Sequence, residues 1–170
     1  QRLVSGGALS IYLGRKAAKI IADQGWRGNR VSLLLGASGG PKWLILGQLD
    51  RLLFDHFLLE DRIHPLRALG SSVGSWRHAC LAQRDSTRAL DRFEDIYLNW
   101  EYRKNPTAEE VSGASLSMLA HILGDDGADA LLQHPLLHSY VVTARGKGLN
   151  AASHQAGLAL GMGSAALANA

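Results

Sequence analysis

Apolar positions along this chain recur with two periods, and the two alternate. From Ser10 to Gln24, Ile11, Leu13, Ala18, Ile20 and Ile21 are interleaved with Arg15, Lys16 and Lys19, and Gly25 follows. That pattern predicts an amphipathic helix stopped by a glycine. Val31 to Leu35 is a short apolar run between Asn29-Arg30 and Gly36, as expected of a buried strand. Pro41 suits the first turn of a helix, and Trp43, Leu44, Leu46, Leu49, Leu52, Leu53 and Phe57 continue it at helical spacing. Leu66 to Leu69, introduced by Pro65, reads as a second strand, and a helix from Val73 to Gln83 follows.

Asp85-Ser86 caps a further helix running to Trp100. Glu101 to Pro106 is a polar linker, Ala108 to Leu123 a helix, and Gly124 to Gly127 a turn. A short helix over Ala128–Gln133 precedes a third strand, Leu136 to Ala144, which closes at the turn Arg145 to Gly148. Strands alternating with helices predict an α/β fold, with a parallel sheet covered on both faces. The whole of 1–170 reads as one domain, and the mostly helical stretch 86–135 as a cap over the sheet edge.

Composition narrows the class. The chain has 170 residues, 46% hydrophobic and 19% charged, which is globular rather than disordered. The net charge of +3 is scattered without a basic block, so no nucleic-acid surface is expected. The single cysteine, Cys80, has no partner for an internal disulfide and reads as a small buried apolar residue. No apolar run approaches the ~18–20 residues that span a bilayer. No secretory leader is visible, so a cytoplasmic setting is expected, with peripheral membrane contact open to it. Residue 1 is Gln, and the apolar helix pattern from Ala156 to Ala170 stops without a glycine cap or polar tail, so the chain reads as interrupted.

The candidate chemistry lies in two glycine-rich turns, each between a strand and a helix. Gly70-Ser71-Ser72-Val73-Gly74 fits G-x-S-x-G, the sequence form of a nucleophile elbow, with Ser72 as nucleophile and Gly70 and Gly74 as its flanking glycines. Gly36-Ala37-Ser38-Gly39-Gly40 also fits G-x-S-x-G, and Pro41-Lys42-Trp43 follows it. As a phosphate loop this upstream turn fails: Pro41 has no N–H to give, and Trp43 stands where a magnesium-binding Ser or Thr is needed. As an oxyanion hole it fits. Glycine amides at Gly39 and Gly40 can approach an alkoxide closely, with a helix N-terminus behind them. Val73 and Trp76 suit anchoring of a helix behind Ser72 better than Gly39-Gly40-Pro41 suits Ser38, so Ser72 is the expected nucleophile.

Together these residues resemble the patatin-like phospholipases of bacterial type. In that family a loop of form G-G-G-x-[RK]-G precedes a G-x-S-x-G serine, and a later D-G-[GA] supplies the aspartate of a Ser-Asp dyad. Ser38-Gly39-Gly40-Pro41-Lys42-Trp43 stands at the loop, and Gly70 to Gly74 at the elbow, with the two serines 34 residues apart. Ser38 replaces the first glycine of the loop and Trp43 the last. The resemblance implies a three-layer, parallel-sheet hydrolase fold and a lipid acyl ester as substrate. It also implies Gly39 and Gly40 as oxyanion donors, and neither metal nor organic cofactor. Asp126-Gly127-Ala128 fits D-G-A but lies only 54 residues after Ser72, in a turn that reads as helix capping. Asp126 is therefore a weak candidate, and the family's aspartate is expected beyond Ala170.

Two other readings stay open. A Ser-Asp-His esterase would use Ser72, Asp125 or Asp126, and His138 or His154 in that chain order. A patatin-like domain that kept the fold as an inactive interaction module is the other. Pro135 breaks any helix between His134 and His138, so no metal site is expected there.

Overall fold

The computed structural model describes residues 12–101, 104–152 and 154–168. Three parallel strands, β1 (Leu33–Gly36), β2 (Leu66–Gly70) and β3 (Leu137–Val141), form one sheet in the order β1-β2-β3. Around it lie α1 (Arg15–Gln24), α2 (Gly47–His56), α3 (Val73–Leu81), α4 (Ser86–Asn99), α5 (Ala108–Leu123), α6 (Gly127–Leu132) and α7 (Gln155–Ala168). The α/β class and the parallel sheet are as the alternating pattern predicts.

Boundaries follow local chemistry. At the start of α5, Thr107 accepts a hydrogen bond from the Glu110 amide while the Glu110 carboxylate accepts from the Thr107 amide. Gly124, with φ +61°, closes its other end. Asp85 caps α4 as expected, accepting from the Arg88 amide at 2.8 Å. The helix expected from Pro41 begins instead as a 3₁₀ turn, Gly40–Leu46, and becomes α-helical only at Gly47. The expected start of the first helix at Ser10 and Ile11 lies outside the described residues, and α1 begins at Arg15. The third strand ends at Val141, three residues short of expectation.

The sheet is two-faced. Leu66, Ala68 and Leu137 point into a core with Val73, Cys80 and Leu81 of α3, Leu90 and Phe93 of α4, and Met118 and Ile122 of α5. Each large apolar side chain buried there contributes about 1.5–3 kcal/mol. Alternation sends Leu33, Leu35, Arg67, Leu69, His138 and Tyr140 to the opposite face, where Leu35 is 68% exposed. Coverage of both faces is therefore met on one face only among the described residues. The 86–135 stretch is helical, with α4 and α5 packed on α3 within the covered layer and α6 against β3.

Candidate active site

Both glycine turns leave the carboxyl ends of adjacent strands, because Gly36 and Gly70 are register partners. In open α/β sheets ligands bind at that end. At the end of β2 the chain turns through Ser71 and Ser72 into α3. Ser72 has φ +52° and ψ −129°, a conformation that L residues rarely adopt and that costs on the order of 1–3 kcal/mol. Asp61 and Asn105 are the other non-glycine residues with positive φ among those described. Ser38, the rival serine, is not among them. Ser72 is exposed and heads α3, and its carbonyl accepts from the Ser75 amide at 2.9 Å.

The flanking glycines are demanded by close approach. A methyl group on Gly74 would lie 2.2 Å from the Gly36 carbonyl oxygen, and one on Gly70 would lie 2.5 Å from the Ser75 Cα. The first turn of α3 thus rests on the ends of both strands, with no room for a Cβ. The Ser71 amide donates to the Gly36 carbonyl at 2.9 Å, and the Val142 amide to the Gly70 carbonyl at 2.8 Å. These bonds hold the elbow to β1 on one side and to the exit of β3 on the other.

The upstream turn is joined to the elbow by side chains. Ser38 Oγ lies 2.8 Å from Ser71 Oγ. Gly39 lies at φ −162° and ψ 0°, and Gly40 takes φ +51°, which only glycine adopts freely. Among the described residues neither amide donates to a backbone carbonyl outside the regular elements, which leaves two half-buried N–H groups available beside the elbow. That is the donor chemistry an oxyanion needs. Lys42 is exposed.

Behind the turns the two segments share one scaffold. The ring of Trp43 stacks on Phe93 at 4.3 Å and 8°, and Trp76 stacks on Phe93 at 5.9 Å and 21°. One phenylalanine of α4 thus carries both tryptophans. The Arg77 Nε donates to Asp50 Oδ2 at 2.6 Å, and its Nη2 to Oδ1, tying α3 to α2. Neither Phe93 nor this pair was apparent as a site-building feature in the sequence. The available signal was spacing: Trp43, Gly47, Asp50 and Phe54 form one buried helical stripe, and an aspartate on it needs a partner.

His78, on α3, is buried against Gly36 with its Nδ1 unpartnered. Burial, helped by the neighbouring Arg77 charge, lowers its pKa to about 4, so the ring is neutral. Burial also pushes the Cys80 thiol up to about 12, which makes it inert as expected of a packing residue.

The candidate acids and bases lie elsewhere. Asp126 is an exposed residue at the start of α6, 3.8 Å from Arg84. Arg84 lies beyond the carboxyl end of α3 and Ser72 before its amino end, so the helix length of about 13 Å separates them. Asp126 does not cap α6 with its side chain. His138 stands on the open face of the sheet, and His154 Nδ1 accepts from the Gly157 amide at 3.2 Å. Ser72 Oγ makes no hydrogen bond to an acid or a histidine among the described residues, so neither the dyad nor the triad is assembled there. No three His, Cys, Asp or Glu side chains among the described residues cluster as metal ligands. No described helix is long and apolar enough to cross a membrane.

The chain matches no protein-family model, no curated protein and no solved structure.

Proposed function

We propose that this chain is a patatin-like acyl-ester hydrolase that acts on lipid esters, with Ser72 as nucleophile and the Gly39 and Gly40 amides as oxyanion donors. The observation that carries this reading is the positive φ of Ser72, placed between two glycines whose Cβ atoms would clash with the sheet ends. Strain of that kind persists only where surrounding packing over-determines it, and it presents a hydroxyl at the open end of a sheet.

In the reaction, Ser72 Oγ attacks the acyl carbonyl and its proton passes to a base. The alkoxide takes hydrogen bonds from Gly39 and Gly40, the alcohol leaves with a proton, and water then releases the fatty acid from the acyl-serine. Aspartate is the base that the family resemblance implies. Without one on Ser72, the oxyanion donors alone support slow acylation, since such sites retain roughly 10³–10⁴-fold over water when a triad member is lost. In the three-layer arrangement of such hydrolases, the exposed row Leu33, Leu35, Leu69 and Tyr140 is the face that a second helical layer covers. A lipid substrate implies peripheral contact with a membrane, from a cytoplasmic setting.

The absence of an acid or histidine on Ser72 Oγ among the described residues favours a second reading, an inert interaction domain of the same fold. Release of p-nitrophenol from p-nitrophenyl esters of increasing chain length separates the two. A slow release that rises with chain length and disappears in Ser72→Ala supports the hydrolase. Equal release by both proteins supports the inert domain.

A further inference from the structure

We propose that a second site, a groove at the amino-terminal end of the sheet, binds a long-chain carboxylate such as a free fatty acid. The groove has a volume of about 620 Å³, within the range of small-molecule sites. It opens beside Val31 and His64, which precede β1 and β2, whereas Ser72 follows β2. The strand length, about 16 Å, separates the two places, so the groove is distinct from the candidate active site.

Its wall is apolar and left open to water. Trp26 stacks on Phe57 at 6.2 Å and 22°, Ile20 of α1 joins them, and Trp26 and Ile63 are 53% and 82% exposed. Burying such a surface under a hydrocarbon chain is favourable in proportion to its area.

Its rim is cationic. Arg27 and Arg30 line the groove, and neither makes a side-chain hydrogen bond or ion pair among the described residues. Next to the lining residues Val31 and His64, Arg62 is buried, and its four hydrogen bonds all go to backbone carbonyls: Leu58 at 2.8 Å, His64 at 3.2 Å, and Gly28 and Val31 at 2.7 Å. Among the described residues no carboxylate forms an ion pair with that charge. Asp61 is the opposing charge on the groove, one carboxylate against the two guanidinium groups of Arg27 and Arg30. A neutral lipid would leave the arginines unused, and a small anion would leave the tryptophan wall uncovered. An anionic amphiphile uses both.

The test is fluorescence quenching of the full chain carrying Ser72→Ala, so that turnover plays no part and failure of the hydrolase reading leaves the result intact. A brominated fatty acid, dibromostearate, is titrated below its aggregation threshold, because bromine quenches tryptophan on contact. Saturable quenching in the micromolar range is expected, with most of it lost in Trp26→Phe. Calorimetry should show stearate still binding Trp26→Phe within threefold. The double variant Arg27→Gln/Arg30→Gln should bind at least tenfold more weakly, and so should stearyl alcohol to the parent protein. Absence of saturable quenching, equal affinity for the alcohol, or undiminished quenching in Trp26→Phe would overturn the proposal. So would binding only to phosphatidylglycerol vesicles, which would make the face a membrane surface.

Discussion

Arg77 grips both carboxylate oxygens of Asp50, a residue only 2% exposed, and so binds the helix behind one glycine turn to the helix behind the other. The pair fixes α2 against α3, and with them the Gly39-Gly40 loop against Ser72. Breaking a buried pair by removing one partner costs about 3–5 kcal/mol, because the other charge is left uncompensated. Arg77→Ala should therefore lower unfolding stability in urea by that amount. Asp50→Ala should cost less, because Arg77 reaches more solvent than Asp50 does.

The elbow glycines give a sharper contrast. Gly74→Ala puts a methyl group 2.2 Å from the Gly36 carbonyl and should cost about 3 kcal/mol or more. Gly39→Ala meets nothing nearer than Lys42 Cβ at 3.9 Å and its φ of −162° lies outside the left-handed region, so stability should stay within about 1 kcal/mol of the parent. Gly40→Ala, at φ +51°, should fall between, at about 1–2 kcal/mol. Denaturant midpoints of the three variants check the order.

Strain at Ser72 predicts an unusual gain. Ser72→Gly should be more stable than Ser72→Ala by about 1 kcal/mol, because only glycine relieves φ +52°. Equal midpoints for these two variants would mean that the elbow is relaxed.

His78 predicts a pH dependence. Its folded pKa, about 4, lies below the ordinary value of 6.5, so between those values the unfolded chain binds a proton that the native state refuses. Its contribution is complete above pH 6.5 and is lost as pH falls towards 4, by an amount on the order of 3 kcal/mol. Urea melts of the parent should weaken across that window, and His78→Leu should show a shallower decline.

Much of this fold was legible because its signals are local. The bounds of α5 follow from Thr107, Glu110 and Gly124, and the elbow from five consecutive residues. What was not legible depends on distant partners. Val31 to Leu35 reads as a strand buried on both sides, yet Leu33 and Leu35 face outward where no described helix packs. The Asp50–Arg77 pair joins residues 27 apart, and no pattern within either helix names the other. The tight Gly40–Leu46 turn arises where the positive φ of Gly40 and the fixed φ of Pro41 meet, a constraint that hydrophobic spacing does not register.

The most direct test of Ser72 as a nucleophile is the site of covalent modification by a fluorophosphonate, read by intact mass and peptide mapping. One adduct per chain is predicted, on Ser72, forming slowly in the parent, absent in Ser72→Ala and retained in Ser38→Ala. An unmodified parent protein, or equal labelling of Ser72→Ala, would contradict the account.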